Sequence, residues 1–119
     1  MAIPSASETE VIKHNQVVAL STTAVLLIPS PTANHIYTVL SIIWTETAGA
    51  AEQIYLNTFT DSGLSANEFW LLRDGAIPAY GTFVWSDRFS FSGALYLATK
   101  TGSAANIDCH ITYIDQNWA

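Results

Sequence analysis

Apolar and polar residues alternate over short segments of the chain, and no longer stretch keeps the period of an amphipathic helix. The clearest alternation is near the end of the chain, where Ile107, Cys109 and Ile111 share one face of an extended segment and Asp108 and His110 take the other. This pattern is typical of a β-strand with one buried and one wet face. It predicts about eight strands, at residues 11–20, 24–28, 35–45, 52–60, 68–72, 82–85, 94–100 and 105–114, with 89–91 as a short extra piece.

Turn-forming residues separate these segments. All six glycines fall between apolar runs, where their freedom to adopt positive φ suits tight turns. Turns are predicted at residues 22–23, 61–63, 73–75 and 101–103, and the Pro29-Ser30-Pro31 segment ends the second strand because proline removes ladder donors. Short strands at roughly 8–12-residue spacing indicate a sandwich or a barrel.

The segment 35–45 departs from simple alternation. Ile42 and Trp44 would lie on one face, and Val39 and Ile43 on the other, so both faces are apolar. An antiparallel strand buried on both faces needs a cover beyond its own sandwich. A neighbouring subunit is the simplest cover, and a surface loop folded over that face is the alternative.

The chain length of 119 residues fits one domain. Residues 1–10 show no alternation, so we predict a flexible N-terminal arm at 1–10 and a single domain at 11–119. No apolar run approaches the ~20 residues of a transmembrane helix, and the first residues lack the basic and apolar regions of a secretory signal.

Charged residues make up only 12% of the chain, against about 25% in an average protein. A small domain with so little charge tends to self-associate unless partners cover part of its surface. The net charge of −6 and the four basic residues argue against nucleic acid and anionic membranes as partners.

Residues that could carry chemistry are scattered. His14, His35 and His110 show no metal-ligand spacing, and the single cysteine, Cys109, excludes an internal disulfide and any cysteine-based zinc site. Most carboxylates lie at strand ends, where they can cap turns. The sequence contains no motif for a catalytic nucleophile, for phosphate binding or for dinucleotide binding. We therefore predict that the chain has no catalytic, cofactor-binding or metal-binding residues and that it is not an enzyme.

Two pairs of adjacent opposite charges, at Arg73-Asp74 and Asp87-Arg88, contain both arginines of the chain. Each is a candidate for an interface ion pair, and the alternative is an exposed pair that contributes little. Trp118 follows the last predicted strand and is a candidate anchor for a partner's pocket.

Aromatic residues crowd the second half of the chain and mostly suit a strand core. If exposed, Trp70, Tyr80 and Trp85 could form a platform on which a sugar stacks, so a lectin-like carbohydrate-binding module is the alternative function. An enzyme is the third hypothesis.

Several short segments together resemble the small β-sandwich structural proteins of tailed bacteriophage virions, especially head decoration (cement) proteins. They lie at residues 17–20, 22–29, 36–42, 77–82 (Ile77-Pro78-Ala79-Tyr80-Gly81-Thr82), 93–97 (Gly93-Ala94-Leu95-Tyr96-Leu97) and 107–114. The resemblance implies no enzymatic activity and clamping of capsomers, often as dimers or trimers. Similar chains also serve in tails and fibres.

We therefore predict an all-β, antiparallel, jelly-roll-like sandwich that acts as a non-enzymatic virion protein. The expected partners are further copies of the chain, as a dimer or trimer, and a major capsid protein or other virion protein; assembly would take place in the host cytoplasm. The candidate interface residues are Trp44, Trp70, Arg73, Arg88 and Trp118.

Overall fold

Nine strands form in a computed structural model that describes residues 10–29, 31–103 and 106–117. They are β1 Glu10–Leu20, β2 Val25–Leu26, β3 His35–Glu46, β4 Glu52–Phe59, β5 Phe69–Ile77, β6 Thr82–Trp85, β7 Phe89–Ser92, β8 Tyr96–Thr101 and β9 Ile107–Asn117. The described residues contain no helix, so the all-β prediction is confirmed. The predicted extra piece at 89–91 is a strand in its own right.

The strands form two antiparallel sheets. Sheet A has the order β1-β9-β3-β6, with β7 also paired to β3, and sheet B has the order β2-β8-β4-β5. Because β6 and β7 pair with successive halves of β3, they act as one broken edge strand. The first strand then pairs with the last, the second with the second-last, and so on inward to β4 with β5. This pairing is that of a jelly roll, in which one long hairpin is rolled into two sheets.

The core lies between the sheets and is formed by inward residues of both. Trp44 of β3 is fully buried and packs edge-on against Phe83 at 5.8 Å between ring centroids. Its indole Nε1 donates to Oγ1 of Thr99 in β8 at 3.1 Å, and this bond joins the two sheets. Other large, fully buried core side chains come from most strands and their flanks: Leu20, Leu27, Ile28, Ile42, Ile54, Leu56, Ile77, Leu97, Ile107 and Ile111.

The two apolar faces predicted for residues 35–45 have a local cause in the structure. The pairing of β3 with β9 shifts register between Val39 and Ser41. Before this bulge the buried residues are Tyr37 and Val39, and after it they are Ile42 and Trp44. The side chains that face the core therefore change from odd-numbered to even-numbered positions at the bulge. A strict alternation without the bulge would place these residues on two opposite faces, although all of them face the core.

The turn predicted at residues 73–75 is wrong, because these residues lie inside β5. Register shifts in the β4–β5 pairing place both Arg73 and Asp74 opposite Tyr55, with Asp74 at φ 55°. Gly75 is buried, and a Cβ there would lie 3.0–3.1 Å from side-chain atoms of Leu72 and Ile54. The glycine at this position therefore serves close packing within a bulged strand.

Of the predicted N-terminal arm, residues 1–9 lie outside the described residues. Glu10 belongs to β1, where it pairs with Gln116 of β9.

Candidate functional site

The outer edge of β1 is the most apolar exposed feature of sheet A. β1 spans 11 residues and pairs with β9 on one side, while no described strand pairs with its other side. Among the described residues, three of the six exposed large hydrophobic side chains belong to β1: Val11 at 46%, Ile12 at 70% and Val18 at 77% exposure. A long edge strand with apolar side chains is a template for pairing with another chain.

Polar contacts hold β1 to its neighbours. Lys13 Nζ of β1 donates to Oδ2 of Asp115 in β9 at 2.8 Å, and Nδ1 of His35 in β3 lies 2.6 Å from the other oxygen, Oδ1. Burial raises the pKa of Asp115, but the hydrogen bonds from Lys13 and His35 outweigh it and bring the pKa below its ordinary value. The ionised carboxylate thus ties three strands of sheet A together at one end of the sheet.

A second candidate surface is a cleft on the outer face of sheet B. It has a volume of about 330 Å³ and is lined by Thr22, Tyr55, Trp70, Arg73, Asp74, Lys100, Thr101 and Gly102. The rings of Tyr55 and Trp70 lie 5.6 Å apart. Strands β4, β5 and β8 each contribute, so three adjacent strands position the cleft side chains.

Two cations lie over the aromatic rings of this cleft. Arg73 Cζ is 5.3 Å from the Trp70 ring centroid, and Lys100 Nζ is 5.3 Å from that of Tyr55 and 5.8 Å from that of Trp70. These distances are within the range of cation–π attraction. Tyr55 Oη also donates to Oδ1 of Asp74 at 2.5 Å, and this hydrogen bond raises the pKa of the Tyr55 phenol, helped by burial and the Asp74 charge.

Buried or turn carboxylates cap loops, as the sequence predicted. Glu46 is buried, and its oxygens accept backbone N–H bonds from Ala48, Gly49, Ala50 and Tyr80 and a side-chain bond from Asn106, at 2.7–3.1 Å. Burial raises the pKa of Glu46, but these N–H groups outweigh it and lower the pKa below its ordinary value. Asp61 caps the 61–66 turn in the same way, by accepting from the backbone of Ser65 and Ala66.

The candidate interface residues do not form one surface. Trp44 is in the core at 0% exposure and is not available to a partner, so its prediction as an interface residue is corrected. Trp70 and Arg73 lie together in the sheet B cleft. Arg88 is exposed in the segment between β6 and β7, and Trp118 lies outside the described residues.

The sugar platform predicted from Trp70, Tyr80 and Trp85 is not assembled. Tyr80 is 73% exposed but sits over Gly49, beside the loop that Glu46 caps. Trp85 is half-buried on β6 of sheet A, packs against Phe89 and donates from Nε1 to the Asp87 carbonyl oxygen. Trp70 has Tyr55 as its aromatic neighbour instead.

Sequence reasoning missed Tyr55 and Lys100 as members of the cleft. Both residues lie in segments that were predicted to be strands, at 52–60 and 94–100, and neither was singled out as a candidate. They meet Trp70 because β4 pairs with both β5 and β8, with Tyr55 directly opposite Lys100. The alternation of apolar and polar residues along one segment does not show which strands pair with each other.

The three histidines take different surroundings. His14 and His110 stack with ring centroids 5.5 Å apart, while His35 contacts Asp115. Among the described residues no group of three or more histidine, cysteine, aspartate or glutamate side chains is arranged to hold a metal ion. Within that same part of the chain there is no helix both long and apolar enough to span a membrane.

Cys109 is buried at 3% exposure, and burial raises the pKa of its thiol to about 12. At neutral pH the thiol is therefore protonated and shielded from solvent, which makes it a poor nucleophile and a poor partner for a disulfide.

Comparisons with known proteins give distant structural likenesses and no match in sequence. No protein-family model and no curated protein matches the chain. A chain from Bacillus endospore appendages, described as disulfide-linked pili, aligns at 14% identity over 97% of this chain and 96% of that one, with a TM-score of 0.46. A pentameric capsid protein from metagenomic phage sequences aligns at 10% identity over 95% of this chain and 62% of that one, with a TM-score of 0.40. Both likenesses are distant, and neither assigns a function to this chain.

Proposed function

We propose that this chain is a non-enzymatic structural protein that self-associates and decorates the shell of a virion. The observation that carries the self-association is the β1 edge, which offers backbone hydrogen-bonding groups together with exposed Val11, Ile12 and Val18. A second copy of the chain is the natural occupant, because pairing two such edges removes apolar surface and satisfies backbone groups at the same time. The low charge of the chain favours the same outcome.

The virion role is supported by two further features. Jelly rolls are a recurrent architecture of viral capsid proteins, although the fold alone does not determine a function. The chain also resembles head decoration proteins in the short segments described above. In this proposal the chain forms a dimer or trimer, and a major capsid protein is its larger partner. Residues 1–9, Arg88 and Trp118 would add weak contacts that sum by avidity.

A non-enzymatic role agrees with the chemistry of the described side chains. The thiol of Cys109 is buried and protonated at neutral pH, and the Asp115 carboxylate is engaged by Lys13 and His35. The Glu46 carboxylate is likewise occupied by loop N–H groups. In these positions the side chains of Cys109, Asp115 and Glu46 stabilise the fold.

Sedimentation velocity over a concentration series tests the self-association. We expect the wild-type chain to form a dimer or trimer. On dilution, the oligomers of the Ile12→Thr and Val18→Thr variants should dissociate at a higher protein concentration than the wild-type oligomer does. Both positions are exposed, so each substitution should change the free energy of unfolding by no more than about 0.5 kcal/mol. Val84→Thr is the matched control, since Val84 is 55% exposed on β6, at the opposite edge of sheet A. A wild-type chain that stays monomeric, or an equal loss in the Val84 variant, would contradict assembly through β1.

Cosedimentation with virion shells stripped of accessory proteins tests the decoration role. The wild-type chain should pellet with the shells, and deletion of residues 2–9, which leaves β1 intact, should release it. A chain that self-associates yet never pellets with shells would overturn the virion role and leave the assembly role standing.

A further inference from the structure

We propose that the cleft on sheet B binds an acidic saccharide, a sugar that carries a carboxylate or a phosphate. This site is separate from the β1 edge, because β1 lies in sheet A and the cleft strands β4, β5 and β8 form sheet B. The inference therefore adds an activity to the assembly role and does not depend on it.

The charge of the cleft favours an anionic ligand. The chain has four lysines and arginines against ten carboxylate residues, yet Arg73 and Lys100 both line this one cleft, with Asp74 as its single carboxylate. Neither cation forms an ion pair with a carboxylate of the described residues, where the ion pairs are made by Lys13 and His35 with Asp115. Two positive charges and one negative charge thus line the same cleft, which leaves it with an excess of positive charge in a protein that is otherwise strongly acidic.

The aromatic rings hold those charges in place. Cation–π contacts place Arg73 against Trp70 and Lys100 beside both Tyr55 and Trp70, without cancelling their charge. Long basic side chains normally lose conformational entropy when they bind a ligand, and a preorganised cation loses less of it. Tyr55 and Trp70 are both half-buried, so part of each ring offers apolar surface beside the two cations.

A bulge in β5 lies at this cleft. Asp74 has φ 55°, in the left-handed region, which aspartate adopts more readily than most non-glycine residues. The β5 bulge brings Arg73 and Asp74 together opposite Tyr55, and the Tyr55 hydroxyl hydrogen-bonds to the Asp74 carboxylate. β-Bulges that re-aim side chains are over-represented next to active sites.

Asp74 distinguishes a sugar from an acidic peptide. Its carboxylate can accept hydrogen bonds from hydroxyl groups, which a sugar carries and a glutamate peptide lacks. The Thr22 hydroxyl, also in the lining, can donate or accept such bonds. The cleft volume of about 330 Å³ suits a small ligand, since roughly 300 Å³ is the lower end of the range for small-molecule pockets. A polyhydroxylated anion therefore matches the cleft better than a peptide does.

Titration by calorimetry and by chemical shifts of the backbone amides tests the site with four probes: tetragalacturonate, galactose 6-phosphate, galactose and a tetraglutamate peptide. We expect one of the two anionic sugars to bind and to shift the amides of residues 55, 70–74 and 100. Tetragalacturonate and galactose 6-phosphate separate a carboxylate from a phosphate as the recognised group. Binding of the peptide or of neutral galactose as tightly as the better anionic sugar would overturn the proposal, as would no binding of either anionic sugar.

Charge-matched variants locate the site. Arg73→Gln should weaken binding at least about tenfold, the effect of losing one charge-assisted hydrogen bond. Arg88→Gln removes the same charge from an exposed position outside the cleft and should leave affinity within about twofold, since a distant exposed charge is screened by salt. Lys100→Gln repeats the test from another strand and should match Arg73→Gln. Equal effects of the Arg73 and Arg88 variants would show general charge attraction and refute the site.

Discussion

The Thr99 hydroxyl makes one hydrogen bond that joins the two sheets and one within sheet B. Removal of both should destabilise the fold by an amount that follows from the structure. Thr99 is fully buried; its Oγ1 accepts from Trp44 Nε1 at 3.1 Å and donates to the Tyr55 carbonyl at 2.6 Å. Thr99→Val keeps the shape of the side chain but removes both bonds. A buried polar group left without a partner costs about 1–3 kcal/mol, so we expect a loss of about 2–4 kcal/mol in the free energy of unfolding.

A second substitution isolates the bond between the sheets. Trp44→Phe removes the indole N–H together with part of a buried ring, and should cost about 2–3 kcal/mol, below the range for deleting the ring entirely. In the double variant, the loss of the Thr99 hydroxyl no longer leaves an indole N–H unpaired, because the indole is absent as well. The two single losses should therefore add to more than the loss measured for the double variant, with a coupling of about 1 kcal/mol.

Chemical denaturation followed by circular dichroism measures all three variants, with the slope m checked for constancy. Sedimentation velocity on the same samples should show unchanged self-association, since Trp44 lies in the core. If Trp44→Phe left the unfolding free energy within about 0.5 kcal/mol of wild type and instead altered self-association, the assignment of Trp44 to the core would be refuted.

Three further predictions concern a turn, a buried carboxylate and the thiol. Gly93→Ala should prevent stable folding, because a Cβ at Gly93 would overlap backbone atoms of Thr32; a soluble variant with a wild-type melting temperature would contradict this. Glu46→Gln should be less stable than wild type at neutral pH. Because the folded pKa of Glu46 is lowered from 4.5, its ionised form stabilises the fold above the unfolded pKa, and the difference should vanish as pH falls through the folded pKa; a difference that is constant from pH 7 to acid, measured by denaturant titration, would exclude it. Cys109, with its thiol pKa raised to about 12, should react with iodoacetamide only in denaturant, and fast labelling of the native chain would contradict its burial.

The strand positions were predictable because alternation is a local property of the sequence. Residues 82–85 are a strand with the predicted bounds, and β3 and β4 differ from their predicted bounds by one residue at one end. Bulges were not predictable, since each depends on how two strands separated in sequence align. The shift between Val39 and Ser41 exchanged the faces of β3, and the bulge at Arg73 and Asp74 made a strand where a glycine had indicated a turn.

The candidate site was partly visible for the same reason. Trp70 and Arg73 were singled out as an aromatic and a charge of unusual context, and they do lie together. Tyr55 and Lys100 complete the cleft through the pairing of β4 with its two neighbours. Trp44 was named as an interface candidate in a segment whose two faces both looked apolar, whereas the bulge places Val39 and Trp44 on the same core-facing side.

The pairing of the first strand with the last has a consequence for folding during synthesis. Val11 pairs with Asp115, so β1 waits for about a hundred residues before its partner is made. At roughly 5–20 residues per second, that wait lasts on the order of 5–20 seconds on the ribosome. Over that interval Val11, Ile12 and Val18 have no completed sheet beside them. The strand that we propose for assembly is therefore also the first strand of a nascent chain to be made without its partner. Until β9 is made, a neighbouring nascent chain or a finished copy can pair with it.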